Sequence, residues 1–297
     1  MKSDNKKVWD AYFAKHDYLR QTAGWKLTFE QLLQETLKPV DFPAKAEWQG
    51  LTKEGLPLLQ HEDLQQNVTA AAAENLCKAA DVILHDASLE LPDVMEKSFT
   101  AVSLWAAGAE KAESQQLFGL LLQQDDKAIA AFAAERHLEE TSLRLLGWEI
   151  IAALVPAEAN DASVWEEIGW KRNYCPVCGR QPVLAVLRKE QEGRARFLVC
   201  DGCHTVWPYA RVGCAYCGNE DLKKMHILEP EGEEAMRLDV CDECHAYLKT
   251  YQGKDENGEE EIYRHDWATL HLDILGAERG LVKKGSVLLA SSEGEEK

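Results

Sequence analysis

The chain has 297 residues, 45% of them apolar, and a formal net charge of −18. That length leaves room for two or three domains with sizeable cores. The acidic excess speaks against non-specific binding to nucleic acid, which needs surplus Lys and Arg to neutralise phosphates, and favours protein partners. No window approaches the roughly eighteen uninterrupted apolar residues of a membrane span. The first residues, MKSDNKKVWDAYFAKHDYL, carry positive charge but no apolar stretch behind it. A signal peptide is therefore not expected, and the chain is placed in the cytoplasm, where thiols stay reduced.

Residues 1–170 are expected to form an α-helical domain. Val8, Tyr12, His16 and Leu19 recur at helical spacing over 4–20. Over 61–83, Leu64, Val68, Ala71, Leu76 and Ile83 approximate one apolar stripe. Segments 97–122 and 126–155 read the same way, with Pro43, Pro57, Pro92 and Pro156 marking breaks. Cys77 falls on the apolar side of its helix and reads as a small buried hydrophobe. His16, His61, His85 and His137 are scattered without ligand spacing.

At residue 171 the composition changes. Cysteine and glycine enter, and β-rich runs follow at 182–189, 194–200, 225–230 and 235–241. Residues 171–211 carry a net charge of +5 and residues 212–252 one of −5. Arg180, Arg188, Arg194 and Arg196 supply the positive side, which suits an acidic protein surface or a neighbouring acidic module. Residues 261–282 look helical, and 291–297 read as a disordered tail.

Eight of the nine cysteines fall in four Cys-x-x-Cys pairs: Cys175/Cys178, Cys200/Cys203, Cys214/Cys217 and Cys241/Cys244. In a reducing compartment such pairs point to metal rather than to disulfides. Twenty-one residues separate the first two pairs, ten the middle two and twenty-three the last two. An internal repeat fixes the grouping. Cys175-Pro-Val-Cys178-Gly179 aligns with Cys214-Ala-Tyr-Cys217-Gly218, and Val199-Cys200-Asp-Gly-Cys203-His204 with Val240-Cys241-Asp-Glu-Cys244-His245. The first pair therefore belongs with the second and the third with the fourth, giving two ribbons with four cysteines each.

Four thiolates make a tetrahedral site for Zn or a mononuclear iron. Such a site has no open position for water or substrate, which speaks against an enzyme. Two other readings of the same cysteines exist. Cys200–His204 and Cys241–His245 match the c-type haem attachment pattern, but that chemistry requires export and leaves the other two pairs without a role. A Cys-x-x-Cys pair is also a possible dithiol redox centre.

The motifs Tyr174-Cys-Pro-Val-Cys-Gly-Arg-Gln-Pro-Val183, Cys200-Asp-Gly-Cys-His-Thr-Val-Trp207, Arg211-Val-Gly-Cys-Ala-Tyr-Cys217, Cys241-Asp-Glu-Cys-His-Ala-Tyr-Leu-Lys249 and Asp266-Trp-Ala-Thr-Leu-His-Leu-Asp273 together resemble the FdhE family over about 170–275. The resemblance implies a helical domain followed by two rubredoxin-like modules. It also implies a cytoplasmic accessory protein, or chaperone, for formate dehydrogenase maturation that contacts the catalytic subunit of that enzyme and binds iron or zinc at Cys175, Cys178, Cys200, Cys203, Cys214, Cys217, Cys241 and Cys244.

The expected fold class is multidomain α+β. It consists of an N-terminal α-helical bundle (1–170), two tandem rubredoxin-like or zinc-ribbon four-cysteine modules (171–211 and 212–252), and a C-terminal helix and tail (253–297). The expected cofactors are two mononuclear metals, Fe or Zn. A rubredoxin-type electron-transfer protein is the alternative function, and a nucleic-acid-binding zinc ribbon the third.

Overall fold

A computed structural model describes residues 10, 13–14, 17, 20–86, 89–190, 193–231, 233, 235–252 and 266–289. The helix expected over 4–20 and the tail expected over 291–297 lie largely or wholly outside these. The chain forms two compact units. One comprises Trp25–Asn160, Pro176–Gly179 and Val287–Lys297, the other Met1–Gly24, Asp161–Cys175 and Arg180–Ser286.

The first of these units is helical. It carries most of α1 (Arg20–Thr36), then α2 (Lys45–Leu51), α3 (Glu62–His85), α4 (Asp93–Gly108), α5 (Lys111–Gln123), α6 (Asp126–Glu135) and α7 (Glu140–Leu154). Pro92 sits at the N-cap of α4 and Pro57 before a 3-10 turn over Leu58–Gln60. Both are sites where the missing N–H costs nothing. The stretches 97–122 and 126–155, expected to be continuous, each contain a break. The first breaks at Ala109–Glu110, between α4 and α5, and the second around His137, which takes left-handed backbone. Glu139 accepts from the N–H groups of Thr141 and Ser142 at 3.0 and 2.6 Å, and so starts α7 afresh.

The α3 stripe buries Leu64, Val68, Ala72, Leu76, Ala79 and Ile83. Cys77, expected inside, is exposed. It follows Leu76 by one residue, about 100° around the helix, which carries it off the stripe. Phe29 stacks on Phe99 at 5.6 Å between ring centres. Helix α7 is buried from Ser142 to Leu154. Its Arg144 is satisfied by Asp126 at 2.6 Å and Glu140 at 2.7 Å. Its Glu149 pairs with the buried Lys26 at 2.7 Å, and Glu30 completes that group. Burial opposes the charge on Lys26, but the two carboxylates overcome it and keep the ammonium protonated.

The second unit is built on one sheet. Its helix α8 (Ala162–Ile168) precedes β1 (Pro182–Glu190), β2 (Gly193–Cys200), β3 (Val206–Tyr209), β4 (Met225–Leu228), β5 (Met236–Cys241) and β6 (Ala246–Tyr251). A 3-10 turn over Asp266–Thr269, helix α9 (Leu270–Glu278) and β7 (Val282–Lys283) follow. The four β-rich runs of the sequence are β1, β2, β4 and β5. Strands β3, β6 and β7 lie outside those runs, and Val282, expected to be helical, is strand.

The strand order is β3-β2-β1-β6-β5-β4, with β7 beside β6. Each repeat supplies three antiparallel strands, β1–β3 and β4–β6. Parallel pairing of Leu184–Val186 with Lys249–Tyr251 fuses them. The two ribbons thus share one sheet and one core, in which Leu184, Val186, Phe197, Leu238 and Val240 are buried together.

Candidate metal centres

Both repeats build their knuckles the same way. The N–H groups of Cys175, Cys200 and Cys214 bond the carbonyls of Arg180, Thr205 and Asn219 at 2.8, 2.9 and 2.8 Å. Each bond closes a loop that turns both sulfurs inward. In all four knuckles the residue after the second cysteine takes positive φ: Gly179 at 80°, His204 at 62°, Gly218 at 71° and His245 at 54°. Glycine adopts this conformation without cost, and histidine is enriched among the side-chain-bearing residues that tolerate it. The histidines of the two Cys-x-x-Cys-His sequences thus occupy the position that glycine fills in the opening knuckles. Backbone N–H groups also point at sulfur, from Gly202 to Cys200 Sγ at 3.3 Å and from Tyr216 to Cys214 Sγ at 3.4 Å.

The structure brings together Cys175, Cys178, Cys200 and Cys203 in one group and Cys214, Cys217, Cys241 and Cys244 in the other. Within each group the sulfurs all lie within 4.8 Å of one another. These are the groupings of the repeat. Sulfurs held about 2.3 Å from a common tetrahedral centre stand about 3.8 Å apart. The Cys214–Cys244 and Cys217–Cys241 separations are both 3.7 Å, and Cys175–Cys203 is 3.4 Å. All eight thiols are free of disulfide. Both groups are therefore positioned to bind a metal ion, and the all-thiolate donor set suits Zn or mononuclear iron.

The groups differ in exposure. Cys175, Cys178, Cys200 and Cys203 are all buried. In the second group Cys214 and Cys241 are buried, Cys244 is half-buried and Cys217 is exposed. Burial pushes the thiols of Cys214 and Cys244 up. Burial also opposes the charge on Cys241, but N–H donation from Cys244 and Glu243 outweighs it and brings that thiol down. Metal binding displaces the protons that remain.

Arg180, Arg188, Arg194 and Arg196 all make contacts within the fold. Arg180 is buried and donates to the Ser286 carbonyl at 3.0 Å. Arg194 donates to the Gln252 carbonyl at 2.8 Å, and Arg188 lies 4.6 Å over the Phe197 ring. Arg196 is buried, donates to the Gly213 carbonyl at 2.9 Å and lies 3.8 Å from Asp239. Its repeat partner Arg237 reaches the same Asp239 at 2.8 Å. Two of the four arginines are thus enclosed, which corrects the expectation of a basic surface formed by all of them.

Sequence reasoning also missed a charged group behind the second ribbon. Lys249 is buried on β6 against Asp266 and Asp273, the latter at 2.9 Å. Lys283 reaches the same two carboxylates at 2.5 and 2.7 Å, and the Tyr247 hydroxyl donates to Asp273 at 2.8 Å. The available signal was a lysine inside the apolar run Ala246–Tyr251 and two aspartates seven residues apart.

Residues 174–211 match the family model for the FdhE central domain, and residues 212–290 that for the FdhE C-terminal domain. Protein FdhE of Salmonella paratyphi A is 31% identical over 216 residues, covering 72% of this chain and 66% of that one. Protein FdhE of Salmonella choleraesuis matches with the same identity and coverage. The chain thus spans about two thirds of the length of these relatives. The crystal structure of the FdhE protein from Pseudomonas aeruginosa shares the fold with a TM-score of 0.56 at 21% identity, over 92% of this chain and 89% of that one. Among the described residues no helix is long and apolar enough to cross a membrane. With both domain models placed on the two cysteine repeats, the chain belongs to the FdhE family.

Proposed function

We propose that this chain is a cytoplasmic accessory protein for the maturation or assembly of formate dehydrogenase, binding the enzyme's catalytic subunit through its cysteine-rich region. The observation that carries this is family membership together with two intact four-cysteine groups. Cys175, Cys178, Cys200 and Cys203 hold one mononuclear Fe or Zn, and Cys214, Cys217, Cys241 and Cys244 the other. The division into 1–170, 171–211, 212–252 and 253–297 is part of the same proposal. A centre closed by four thiolates has no position left for water or substrate, which supports a binding role over a catalytic one. The second ribbon also offers surface for a protein partner: Val212, Leu222 and Ile227 are exposed, and β4 is an edge strand.

The test is affinity capture with tagged full-length chain from a host expressing formate dehydrogenase, alongside a deletion strain. The catalytic subunit should co-purify, and the deletion strain should lose dehydrogenase activity. Absence of the subunit combined with full activity in the deletion strain would overturn the proposal.

The exposure of Cys217 favours a second reading, rubredoxin-type electron transfer. That reading requires a reversible Fe(III)/Fe(II) couple, so protein carrying only Zn from its native host would exclude it.

A further inference from the structure

We infer that the two metal centres are unequal. The Cys214/Cys217/Cys241/Cys244 centre is open to exchange in the folded protein, whereas the Cys175/Cys178/Cys200/Cys203 centre is sealed and is filled as the chain folds. This goes beyond the proposed function, although it rests on that proposal's assignment of a metal to each group.

The argument starts from the knuckles. All four cysteines of the first group are buried. The turn that carries Cys178 is also held from outside by backbone bonds. The Leu58 N–H donates to the Pro176 carbonyl at 2.9 Å and the Leu59 N–H to the Val177 carbonyl at 2.8 Å. The Pro57 ring closes against Gly179, where an added Cβ would meet Pro57 Cγ at 3.2 Å. A chelator or thiol reaches the buried Cys178 only after the Pro57–Leu59 segment and the knuckle part, which is a local unfolding event.

The corresponding turn of the second group is anchored on one side only. Tyr216 is buried, its carbonyl accepts from Asn173 Nδ2 at 3.2 Å, and its hydroxyl lies between the carbonyls of Pro182 and Lys284, at 3.1 and 3.3 Å, which share its one hydrogen. The next residue, Cys217, lies on the exposed side, and Cys244 is half-buried. Two of the four donors therefore stand at the solvent edge, and an incoming ligand meets Cys217 without prior unfolding. The closing knuckle adds no cover: His245, directly after Cys244, is exposed. Exchange at this edge lets the folded protein take up, lose or swap its second metal while the sheet stays intact.

Full-length zinc-loaded protein, first assayed for two equivalents per chain, is mixed with excess 4-(2-pyridylazo)resorcinol and followed by absorbance and native mass spectrometry. One equivalent should leave rapidly, and the other at least about tenfold more slowly because it waits on local opening. N-ethylmaleimide labelling of the same wild-type protein, read by peptide mass spectrometry, should modify Cys217 and Cys244 in the fast phase, with exposed Cys77 as the accessibility control. Cys217→Ser should lack the fast equivalent and retain the slow one. Labelling of wild type keeps the test valid if that variant fails to fold. Two equivalents leaving in one phase, or first labelling at Cys175, Cys178, Cys200 or Cys203, would overturn the inference alone. Fewer than two equivalents at the outset would refute the metal assignment itself and the inference with it.

Discussion

Replacing Asp266 by Asn removes a carboxylate shared by two ammonium groups. Lys249 and Lys283 both contact it, and both also contact Asp273, so the buried group holds two positive and two negative charges. After substitution one carboxylate serves two cations, one of them on fully enclosed Lys249. Breaking a buried pair in this way costs about 3–5 kcal/mol. The lower end applies here, about 3 kcal/mol, because Asp273 remains and Lys283 keeps 19% of its side chain in solvent. Urea unfolding of metal-saturated protein at pH 7 measures the loss.

The double variant Asp266→Asn/Lys283→Met restores neutrality and should recover more than half of that loss. Burial alone would push the Asp266 pKa up, but Lys249 and Lys283 overcome it and bring it from 3.8 down to about 2. The stabilisation is therefore complete above the unfolded value and is lost as pH falls from about 4 to about 2. The gap between wild type and Asp266→Asn should be the same at pH 5 and pH 7. A loss under about 1 kcal/mol, typical of a surface pair, or a double variant less stable than the single one, would refute the reasoning.

Gly285→Ala should disrupt the β6–β7 end of the sheet. Gly285 has φ of 79°, and an added Cβ would lie 2.0 Å from the Pro182 carbonyl oxygen, so backbone must move. A loss above about 2 kcal/mol in urea unfolding is expected from combined overpacking and backbone strain. Cys77→Ser should be nearly silent, within about 0.5 kcal/mol, since the thiol is exposed. A loss of several kcal/mol there would mean that Cys77 is enclosed.

The cysteine groups were legible because the repeat is local. A Cys-x-x-Cys turn and the 39- and 41-residue offsets between its copies can be read directly from the letters, whereas the left-handed backbone of His204 and His245 could not. Strands β1, β2, β4 and β5 were legible as β-branched runs. Strand β3 is four residues long and contains Pro208, which weakens its strand signal. The fusion of the ribbons was not legible, since it depends on three parallel pairs between residues more than sixty positions apart. Nor was the convergence of Arg196 and Arg237 on Asp239, which that fusion creates. In the helical unit the break around His137 has neither Pro nor Gly to announce it. Cys77 was misplaced because a stripe read at three-and-four spacing is wider than the face that packs.

The central claim is that the eight paired cysteines hold two metals. Metal analysis of protein purified without air, together with Cys200→Ser and Cys241→Ser, tests it most directly. The account predicts two equivalents of Fe or Zn per chain in the wild type and one in each variant. One equivalent or none in the wild type, or an unchanged count in either variant, would contradict it.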